Sequence, residues 1–280
     1  MEHIPSWIKK KIRVTDEYRS VVSIIRDLGL NTVCESAACP NIYECFGRKY
    51  ATFMILGNVC TRACRFCGVG KGTPLPPDFN EADRIAEAVA RLELRFVVVT
   101  SVTRDDLPDG GASVFSETVR AIRERNRKTA IEILIPDFNG RTASLDEVCR
   151  SGPDIISHNM ETVPSLYASI RPRSSYRRSL DILAGIVQRN RPAKSGLMLG
   201  LGETNEEIFS AMEDVRNTGC SYLVLGQYLK PSRTAAPVRR YLRDEEFAIF
   251  ARRGAEQGFR KVFAGTFFRT SYLAEQCLAD

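Results

Sequence analysis

One stretch of this sequence decides both the fold and the chemistry, because it joins a short apolar run to a loop with three thiols. It reads Phe53-Met54-Ile55-Leu56-Gly57-Asn58-Val59-Cys60-Thr61-Arg62-Ala63-Cys64-Arg65-Phe66-Cys67. A closed structural zinc site normally takes four ligands, usually as two Cys-x-x-Cys pairs, and this loop offers three. A cubane iron-sulfur cluster held by three thiolates keeps one iron free for a small molecule. The loop therefore predicts such a cluster, and a zinc site completed from elsewhere in the chain is the alternative.

A second group of thiols precedes this loop, at Cys34, Cys39 and Cys45. Their spacing is too wide for a zinc knuckle but can wrap a second cluster. Six of the nine cysteines thus fall in two tight groups, which favours metal binding over a disulfide scaffold. The other three are predicted to be buried small hydrophobes or inert thiols: Cys149, Cys220 and Cys277.

Length and composition indicate a globular protein. The 280 residues, 44% of them hydrophobic, are enough for one large α/β domain or two smaller ones. No run of about 18 apolar residues occurs, and the N-terminus, with Glu2, Pro5 and Lys9 to Lys11, lacks the apolar core of a signal peptide. We therefore expect a cytoplasmic protein without a membrane partner.

Short apolar runs alternate with amphipathic segments from residue 51 onward, which predicts βα units and a parallel sheet. Six runs have this character: 53–57, 96–102, 131–138, 155–160, 195–201 and 222–228. The fold class is therefore predicted as α/β, a partial (β/α)6 TIM-type barrel. Residues 1–50 would form an N-terminal extension with the second cysteine group, 51–230 the barrel, and 231–280 a C-terminal extension that closes it.

Polar residues and glycines follow several of these apolar runs. Barrel enzymes place their sites at the C-terminal ends of the strands, where the loop with Cys60 would also lie. We therefore expect a cofactor pocket lined by residues Phe66, Thr100, Ser101, Asn159, Glu161, Arg171, Gly200 and Glu203. Taken singly, each polar group is better explained as turn chemistry or a helix cap.

Positive charge is concentrated in two segments. Residues 171–194 carry seven Lys or Arg against one acid, and residues 230–243 carry five against none. Such segments suit an acidic partner, although a solvated face is the simpler explanation. Neither segment has the aromatic interleaving of a single-strand-binding platform, so no nucleic-acid partner is expected.

Many linked motifs resemble those of the lipoyl synthase family of radical S-adenosylmethionine enzymes, and the resemblance covers nearly the whole chain. The spacing Cys-x-x-x-Cys-x-x-Cys, with Phe66 before the last cysteine, is typical of the superfamily. The other resembling stretches are Cys34 to Cys45 with Cys-Pro-Asn, Val99 to Val102, Arg104 to Ala112, Ile135 to Phe138, His158 to Pro164, Leu166-Tyr167, Arg171-Pro172 and Lys194 to Glu203.

The resemblance implies two 4Fe-4S clusters and S-adenosylmethionine as cofactors, with no catalytic side chain beyond the cluster ligands. Cys60, Cys64 and Cys67 would hold the cluster whose open iron chelates S-adenosylmethionine. Cys34, Cys39 and Cys45 would hold an auxiliary cluster. A serine in an Arg-Ser-Ser-Tyr stretch completes the auxiliary site in the family, and the stretch 269–272 here is Arg-Thr-Ser-Tyr. Ser271 is thus the candidate ligand, with Thr270 as the fallback.

The implied reaction is a sulfurtransferase step driven by a radical. A 5'-deoxyadenosyl radical would remove hydrogen from an octanoyl chain, and the auxiliary cluster would donate sulfur to the sixth and eighth carbons. The substrate would be an octanoyl-lysine on a lipoyl carrier domain or H-protein. Because the auxiliary cluster is consumed, the resemblance also implies an iron-sulfur repair protein, together with an electron donor such as ferredoxin or flavodoxin.

Two other functions remain open. An iron-sulfur electron carrier or scaffold would explain the cysteines but leaves the residues Gly196 to Glu203 without a role. Another radical enzyme that inserts sulfur or a methylthio group into RNA would fit the basic segments. It is disfavoured because the sequence shows no appended RNA-binding module.

Overall fold

The structure is a computed structural model that describes residues 5–278. The strands are β1 Thr52–Ile55, β2 Val59–Cys60, β3 Gly70–Lys71, β4 Phe96–Ser101, β5 Ala130–Leu134, β6 Ile155–Ser157, β7 Ala193–Leu199, β8 Tyr222–Gln227 and β9 Lys261–Gly265. The helices are α1 Asp16–Asp27, α2 Val33–Ser36, α3 Ile42–Gly47, α4 Glu81–Arg91, α5 Ala112–Arg125, α6 Thr142–Arg150, α7 Pro164–Ile170, α8 Tyr176–Gln188, α9 Asn205–Asn217 and α10 Asp244–Glu256. Short 3-10 turns cover Ser6–Ile8, Phe138–Gly140 and Ala274–Cys277.

The main sheet has seven parallel strands in the order β1-β4-β5-β6-β7-β8-β9. The six apolar runs correspond to β1, β4, β5, β6, β7 and β8, so the predicted α/β partial barrel is confirmed. Among the described residues no pairing joins β1 to β9, and the barrel stays open between these two strands. Burial explains why these runs are hydrophobic throughout. A parallel sheet is covered on both faces, so the side chains on each face are shielded from water.

The predicted barrel has six strands, and the sheet contains a seventh, β9. β9 pairs with β8 in parallel, with Lys261 opposite Tyr222 and Gly265 opposite Gly226. The segment that was predicted to be a C-terminal extension therefore adds one strand to the sheet, and the chain then leaves the sheet. The ends of the two predicted extensions, residues 1–4 and 279–280, lie outside the described residues.

Helix boundaries follow their capping residues. In α9, the Thr204 side chain accepts a hydrogen bond from the Glu207 backbone at 3.2 Å, and Glu207 accepts from the Thr204 backbone at 2.8 Å, which forms a capping box. Asn80 precedes α4, but its side chain makes no capping hydrogen bond. In α1, Val21 and Ile25 are buried against the barrel, as the 3.6-residue periodicity predicts.

The three remaining cysteines are buried, as predicted: Cys149 is 3% exposed, and Cys220 and Cys277 are 0% exposed. Cys277 packs against side chains of the sheet, including Phe96 and Tyr222. Its thiol lies beside the buried ion pair between Lys194 and Glu132, whose atoms are 2.9 Å apart. Within residues 5–278, no helix combines the length and apolar character needed to cross a membrane.

Candidate active site

A cavity of about 450 Å³ opens where the barrel strands end. Its wall includes Thr100 and Ser101 from the end of β4, Ile135 after β5, Asn159 after β6 and Tyr228 after β8. The C-terminal ends of parallel strands meet at one edge, which is why segments far apart in sequence converge here. The cavity is large enough for a small-molecule cofactor together with part of a substrate.

The first cysteine group lies on this wall. Cys60, Cys64 and Cys67 all line the cavity, and so does Phe66, which packs against Ile170 and Tyr228. Burial raises the pKa of the Cys67 thiol to about 11 and also raises the pKa of the Cys64 thiol. A thiolate at these positions thus needs a positive partner, and iron in a cluster is such a partner.

The loop that carries these thiols is held by the buried side chain of Arg62, which is 4% exposed. Its Nε donates to Asp105 at 2.7 Å, and one terminal nitrogen donates to Asp137 at 2.6 Å. The other terminal nitrogen donates to Ser174 at 3.2 Å. Although burial opposes ionisation, the hydrogen bond and charge of Arg62 lower the pKa of Asp137 from 3.8 to about 2. The loop is therefore fastened to the segment after β5 by a buried ion pair.

Arg171 is placed in the cavity wall by a directed chain of hydrogen bonds. One of its nitrogens donates to Tyr167 Oη at 2.6 Å, and Tyr167 donates to Ser179 Oγ at 2.6 Å. Burial, and next the charge of Arg171, lower the pKa of His158 to about 4, so the imidazole is neutral. Its Nε2 then accepts from Ser179 at 2.9 Å while Nδ1 donates to the Ile135 carbonyl at 2.9 Å.

Two donors in this wall lack a partner among the described residues: Arg171 Nε and Ser101 Oγ are both buried without a hydrogen bond. Thr100 differs, because its hydroxyl donates to the Leu134 carbonyl at 3.0 Å. Buried donors that protein atoms leave unpaired mark positions where a bound molecule supplies the acceptor. Arg171 Nε and Ser101 Oγ are therefore the groups available to a ligand.

Glu161 and Asn159 lie beside them. The Asn159 amide donates to Glu161 at 3.2 Å and its oxygen accepts from the Thr270 hydroxyl at 2.9 Å. Burial raises the pKa of Glu161, against the attraction of Arg171. Glu161 also has a left-handed backbone with φ of 71°, which a non-glycine residue adopts only under constraint from its surroundings.

Gly200 and Glu203 are the two predicted pocket residues that the structure does not place on the cavity wall. The Glu203 carboxylate turns back on its own loop and accepts from the backbone of Gly200 and, at 2.9 Å, of Leu201. A side chain on Gly200 would clash with the Arg240 carbonyl. These residues shape the turn after β7, whereas Gly196 and Met198, earlier in the same motif, line the cavity.

The second cysteine group surrounds a smaller cavity of about 30 Å³. Cys34, Cys39, Cys45 and Ser271 all line it, and the first two cysteines and Ser271 also line the main cavity. Burial, and next the neighbouring Cys39, raise the pKa of Cys34 to about 12, and burial likewise raises the pKa of Cys45. The two cysteine groups thus face adjoining spaces that share part of their walls.

The C-terminal segment reaches this second cavity through contacts with the N-terminal extension. The Asn41 amide donates to the Phe267 carbonyl at 2.7 Å, and the Tyr272 hydroxyl donates to Glu44 at 2.8 Å. Lys10 pairs with Glu44 at 2.6 Å. These bonds fix residues 267–272 beside the helix that carries Cys45.

Ser271, the fallback Thr270 and the nearby thiol Cys277 lie in different places relative to the second cysteine group. Thr270 lines the main cavity and donates to Asn159, but it does not line the smaller one. Cys277 lines neither cavity. Of the three, only Ser271 shares the smaller cavity with the cysteine trio.

The donor sets fit clusters better than single ions. A zinc ion needs its thiolates about 2.3 Å from one point. Within residues 5–278 no three His, Cys, Asp or Glu side chains converge so closely. Each trio is spread around a cavity instead, which suits a larger inorganic centre with thiolate ligands.

Sequence reasoning missed several residues of the wall. Arg62 lies inside the cysteine motif and lines the cavity, whereas its partner Asp137 lies inside another of the resembling stretches and does not line it; only the fold brings the two together. Arg269 was quoted as part of the Arg-Thr-Ser-Tyr stretch without a role, and it lines both cavities. Lys71 and Lys230 at the cavity edge carried no signal beyond charge.

The sequence is similar to two family models, and to curated proteins over nearly its whole length. Residues 54–215 match the family model of the Radical SAM superfamily, and residues 1–39 match that of the N-terminal domain of lipoyl synthase of the Radical SAM family. The lipoyl synthase of Citrifermentans bemidjiense is 53% identical over 277 residues, covering 98% of this chain and 94% of that protein. The lipoyl synthase of Mycobacterium avium is 48% identical over 274 residues, covering 98% and 89%.

Among solved structures, methylornithine synthase (PylB) resembles the chain with a TM-score of 0.58, covering 91% of this chain and 76% of that one. The sequences are 14% identical, so this likeness concerns the fold alone.

Proposed function

The chain belongs to the lipoyl synthase family of radical S-adenosylmethionine enzymes, and on that premise we propose that it converts a protein-bound octanoyl-lysine to lipoyl-lysine. The reaction inserts sulfur at the sixth and eighth carbons of the octanoyl chain. Unactivated C–H bonds are beyond acid-base catalysis, so the chemistry comes from cofactors while the protein binds and orients them. When bound, two 4Fe-4S clusters and S-adenosylmethionine supply the radical and the sulfur.

One observation carries the proposal: the two cysteine groups face adjoining cavities with a shared wall. If Cys60, Cys64 and Cys67 hold the cluster that supplies the radical, the sulfur source must lie within reach of the same substrate carbon. An electron carrier needs no space for an organic substrate between its clusters. The shared wall therefore favours a sulfur-inserting enzyme over a carrier.

The residues of the main cavity bind S-adenosylmethionine in this proposal. Arg171 Nε and Ser101 Oγ donate to its polar groups, because both donors are otherwise unpaired. Asn159 and Glu161 face the same space, while Phe66 and Met198 supply apolar contacts. The neutral His158 acts indirectly, since its hydrogen-bond chain orients Arg171.

Ser271 completes the auxiliary site. An oxygen ligand is harder and binds iron less firmly than a thiolate, which suits an iron that leaves when the cluster gives up sulfur. The contacts of residues 267–272 with Asn41 and Glu44 also close the cavity on one side and exclude water.

Triple variants test the assignment of the two trios. Changing Cys60, Cys64 and Cys67 to Ala should abolish cleavage of S-adenosylmethionine, and changing Cys34, Cys39 and Cys45 should preserve cleavage but abolish sulfur insertion. Anaerobically purified parent protein should contain about eight irons, and each triple variant about four. If both triple variants cleave S-adenosylmethionine as fast as the parent, the two-cluster assignment is wrong.

The substrate carrier is proposed to be an octanoylated lipoyl carrier domain or H-protein with an acidic surface. Four of the seven basic side chains of the segment 171–194 form ion pairs within the fold, so we place the docking charge elsewhere. Arg177 pairs with Asp181 at 2.9 Å and Arg189 with Asp146 at 2.6 Å. Lys194 is buried with Glu132. The sequence shows net charge, whereas the fold decides which charges are free.

Free cations lie instead at the mouth of the cavity. Lys71 and Lys230 are exposed and line it, and exposed Arg65 belongs to the cysteine loop. Within residues 5–278 these three side chains form no ion pair, and we call them the cationic rim. Exposed charge steers association with a partner of opposite sign.

Charge reversal tests the rim. The double variant Lys71→Glu, Lys230→Glu should slow turnover on an octanoylated carrier domain about tenfold at low salt and leave turnover on an octanoyl-lysine peptide nearly unchanged. Arg252→Glu on the exposed face of α10 is the matched control. Salt should reduce turnover of the parent on the domain more steeply than on the peptide. Equal responses of the two substrates would show that the rim does not dock the carrier.

Two further partners follow from the proposed chemistry. Cleavage of S-adenosylmethionine requires an electron, so a donor such as ferredoxin or flavodoxin is proposed. Because the auxiliary cluster loses sulfur, repeated turnover requires an iron-sulfur repair protein. Without such a protein, one chain should make at most one lipoyl group, whatever the excess of substrate.

A further inference from the structure

Arg269 stands in the wall between the two cavities and lines both. One of its terminal nitrogens donates to its neighbour's carbonyl, Phe268 O, at 2.6 Å and lies 3.4 Å from Thr266 O. The side chain is thus folded back along its own loop while it forms part of the wall of both cavities.

Two glycines make room for this loop inside the barrel. A side chain on Gly226 would collide with the Phe268 carbonyl and would lie 3.0 Å from the Arg269 guanidinium. On Gly196 it would lie 2.9 Å from the Thr270 hydroxyl. Strand interiors disfavour glycine, so its presence on β7 and β8 fits a close approach of another backbone. The position of Arg269 is therefore set by the sheet.

The charge of Arg269 has no ion-pair partner among residues 5–278. Three buried cations are paired, Arg62 with Asp137 at 2.6 Å, Arg104 with Asp106 at 2.8 Å and Lys194 with Glu132 at 2.9 Å. Arg171 is buried and, like Arg269, forms no ion pair among the described residues. Arg269 lines both cavities together with Cys39, and it lines the main cavity together with Glu161. Arg269 is half-buried in the cavity wall, where a charge without a partner is costly, so a negative group beside it would be stabilising.

We propose that Arg269 is the counterion of the auxiliary cluster, donating N–H hydrogen bonds to its sulfur atoms. This inference rests on the proposed function, because it requires a cluster at Cys34, Cys39 and Cys45. Three thiolates and one serine oxygen around a cubane leave it with net negative charge. The guanidinium meets that charge from the side of the main cavity, where a substrate chain approaches.

A positive neighbour and hydrogen bonds to sulfur stabilise the reduced state of a cluster more than the oxidised state. Arg269 should therefore hold the reduction potential of the auxiliary cluster at a more positive value. A merely structural side chain would affect stability and leave the potential unchanged. The potential thus separates the two roles.

The test uses full-length protein in which Cys60, Cys64 and Cys67 are changed to Ala, so that only the auxiliary cluster contributes. Arg269→Gln and Arg269→Lys are made in this background, with Arg252→Gln as the control for loss of an arginine. Iron, sulfide and the midpoint potential are measured anaerobically. Arg269→Gln should lower the ratio of reduced to oxidised cluster at a given potential at least tenfold, about 59 mV for one electron. The midpoint potential of Arg269→Lys should lie between those of Arg269→Gln and the parent.

If the cluster is lost from Arg269→Gln but kept in Arg269→Lys, the charge requirement is also supported. The inference is overturned if Arg269→Gln holds the cluster at the parental potential, or if Arg269→Lys behaves as Arg269→Gln does. A background protein that binds no iron at all would contradict the proposed function instead.

Discussion

The two cysteine groups of this chain are built in opposite ways. Cys60, Cys64 and Cys67 belong to one loop that follows one strand, and Arg62 within that loop fastens it to Asp137. Cys34, Cys39 and Cys45 come from the N-terminal extension, and Ser271 joins them from the other end of the chain. The first site is local in sequence and depends on one buried ion pair. The second is assembled from two termini by several partly exposed contacts.

This difference has an energetic consequence. The Arg62 guanidinium and the Asp137 carboxylate are 3% and 0% exposed, so removal of either leaves a buried charge. Lys10 and Glu44, which help to join the two extensions, are 23% and 33% exposed. Exposed ion pairs contribute little because water and salt screen them. The second site should therefore open more readily, which suits a cluster that must be rebuilt.

The largest expected effect is at Arg62. Arg62→Met leaves the buried Asp137 carboxylate with only the partly exposed Arg178, 3.3 Å away, as its cation, and should reduce the free energy of unfolding by about 3 kcal/mol. Urea unfolding measures the loss of stability. The iron content of anaerobically purified protein measures cluster loss, and the cluster at Cys60 should be lost before the auxiliary cluster. The control is Arg65→Met, three residues along the same loop and exposed. Equal stability of the two variants would remove the contrast between the sites.

Ser271 should show the next largest effect, on product formation. Ser271→Ala should retain cleavage of S-adenosylmethionine and reduce lipoyl formation by about 100-fold, because the auxiliary cluster loses a ligand. Thr270→Ala should be milder. Cys277→Ala should form lipoyl normally and lose about 1 kcal/mol of stability, since it creates a small cavity against Phe96. Loss of the auxiliary cluster in Cys277→Ala, with full activity of Ser271→Ala, would instead make Cys277 the ligand.

The pH dependence of stability isolates the ion pair of the first site. The pKa of Asp137 is lowered from 3.8 to about 2, so its contribution is present above about pH 4 and is lost as the pH falls towards 2. The shift corresponds to about 2 kcal/mol of unfolding free energy. Urea unfolding of cluster-free protein should show Asp137→Asn destabilised by that amount at neutral pH and close to the parent near pH 2. A constant difference at all pH values would contradict this origin.

The smallest effect is expected at the contacts between the two extensions. Tyr272→Phe removes the hydrogen bond to Glu44 and should cost about 1 kcal/mol or less. It should nevertheless hasten loss of iron from the auxiliary cluster, measured with a chelator, while leaving the first cluster unaffected. Tyr43→Phe, on the same helix as Glu44 and Cys45, is the control. Equal rates of iron loss from both clusters in Tyr272→Phe would show that the second site is not the more easily opened one.

The sequence by itself determined the parallel sheet, the two thiol groups and the edge of the sheet where a site would form. These follow from local rules: apolar runs of strand length predict buried strands, and three thiols in one loop are near each other in any fold. The residues 171–194 show where this reasoning fails. Their charge is visible in the sequence, but Asp146, Glu132 and Asp137 neutralise much of it only after folding.

Only the tertiary structure decided which residues meet across long distances in sequence. Gly200 and Glu203 matched a motif, yet hydrogen bonding within their own turn directs them away from the cavity. Ser271 reaches Cys34 and Arg269 lies between the cavities because β9 returns the chain to the sheet and Gly196 and Gly226 leave room for the loop beyond it. The Arg-Thr-Ser-Tyr stretch named Ser271 as a candidate, but the contacts themselves depend on the packing of strands and loops in three dimensions.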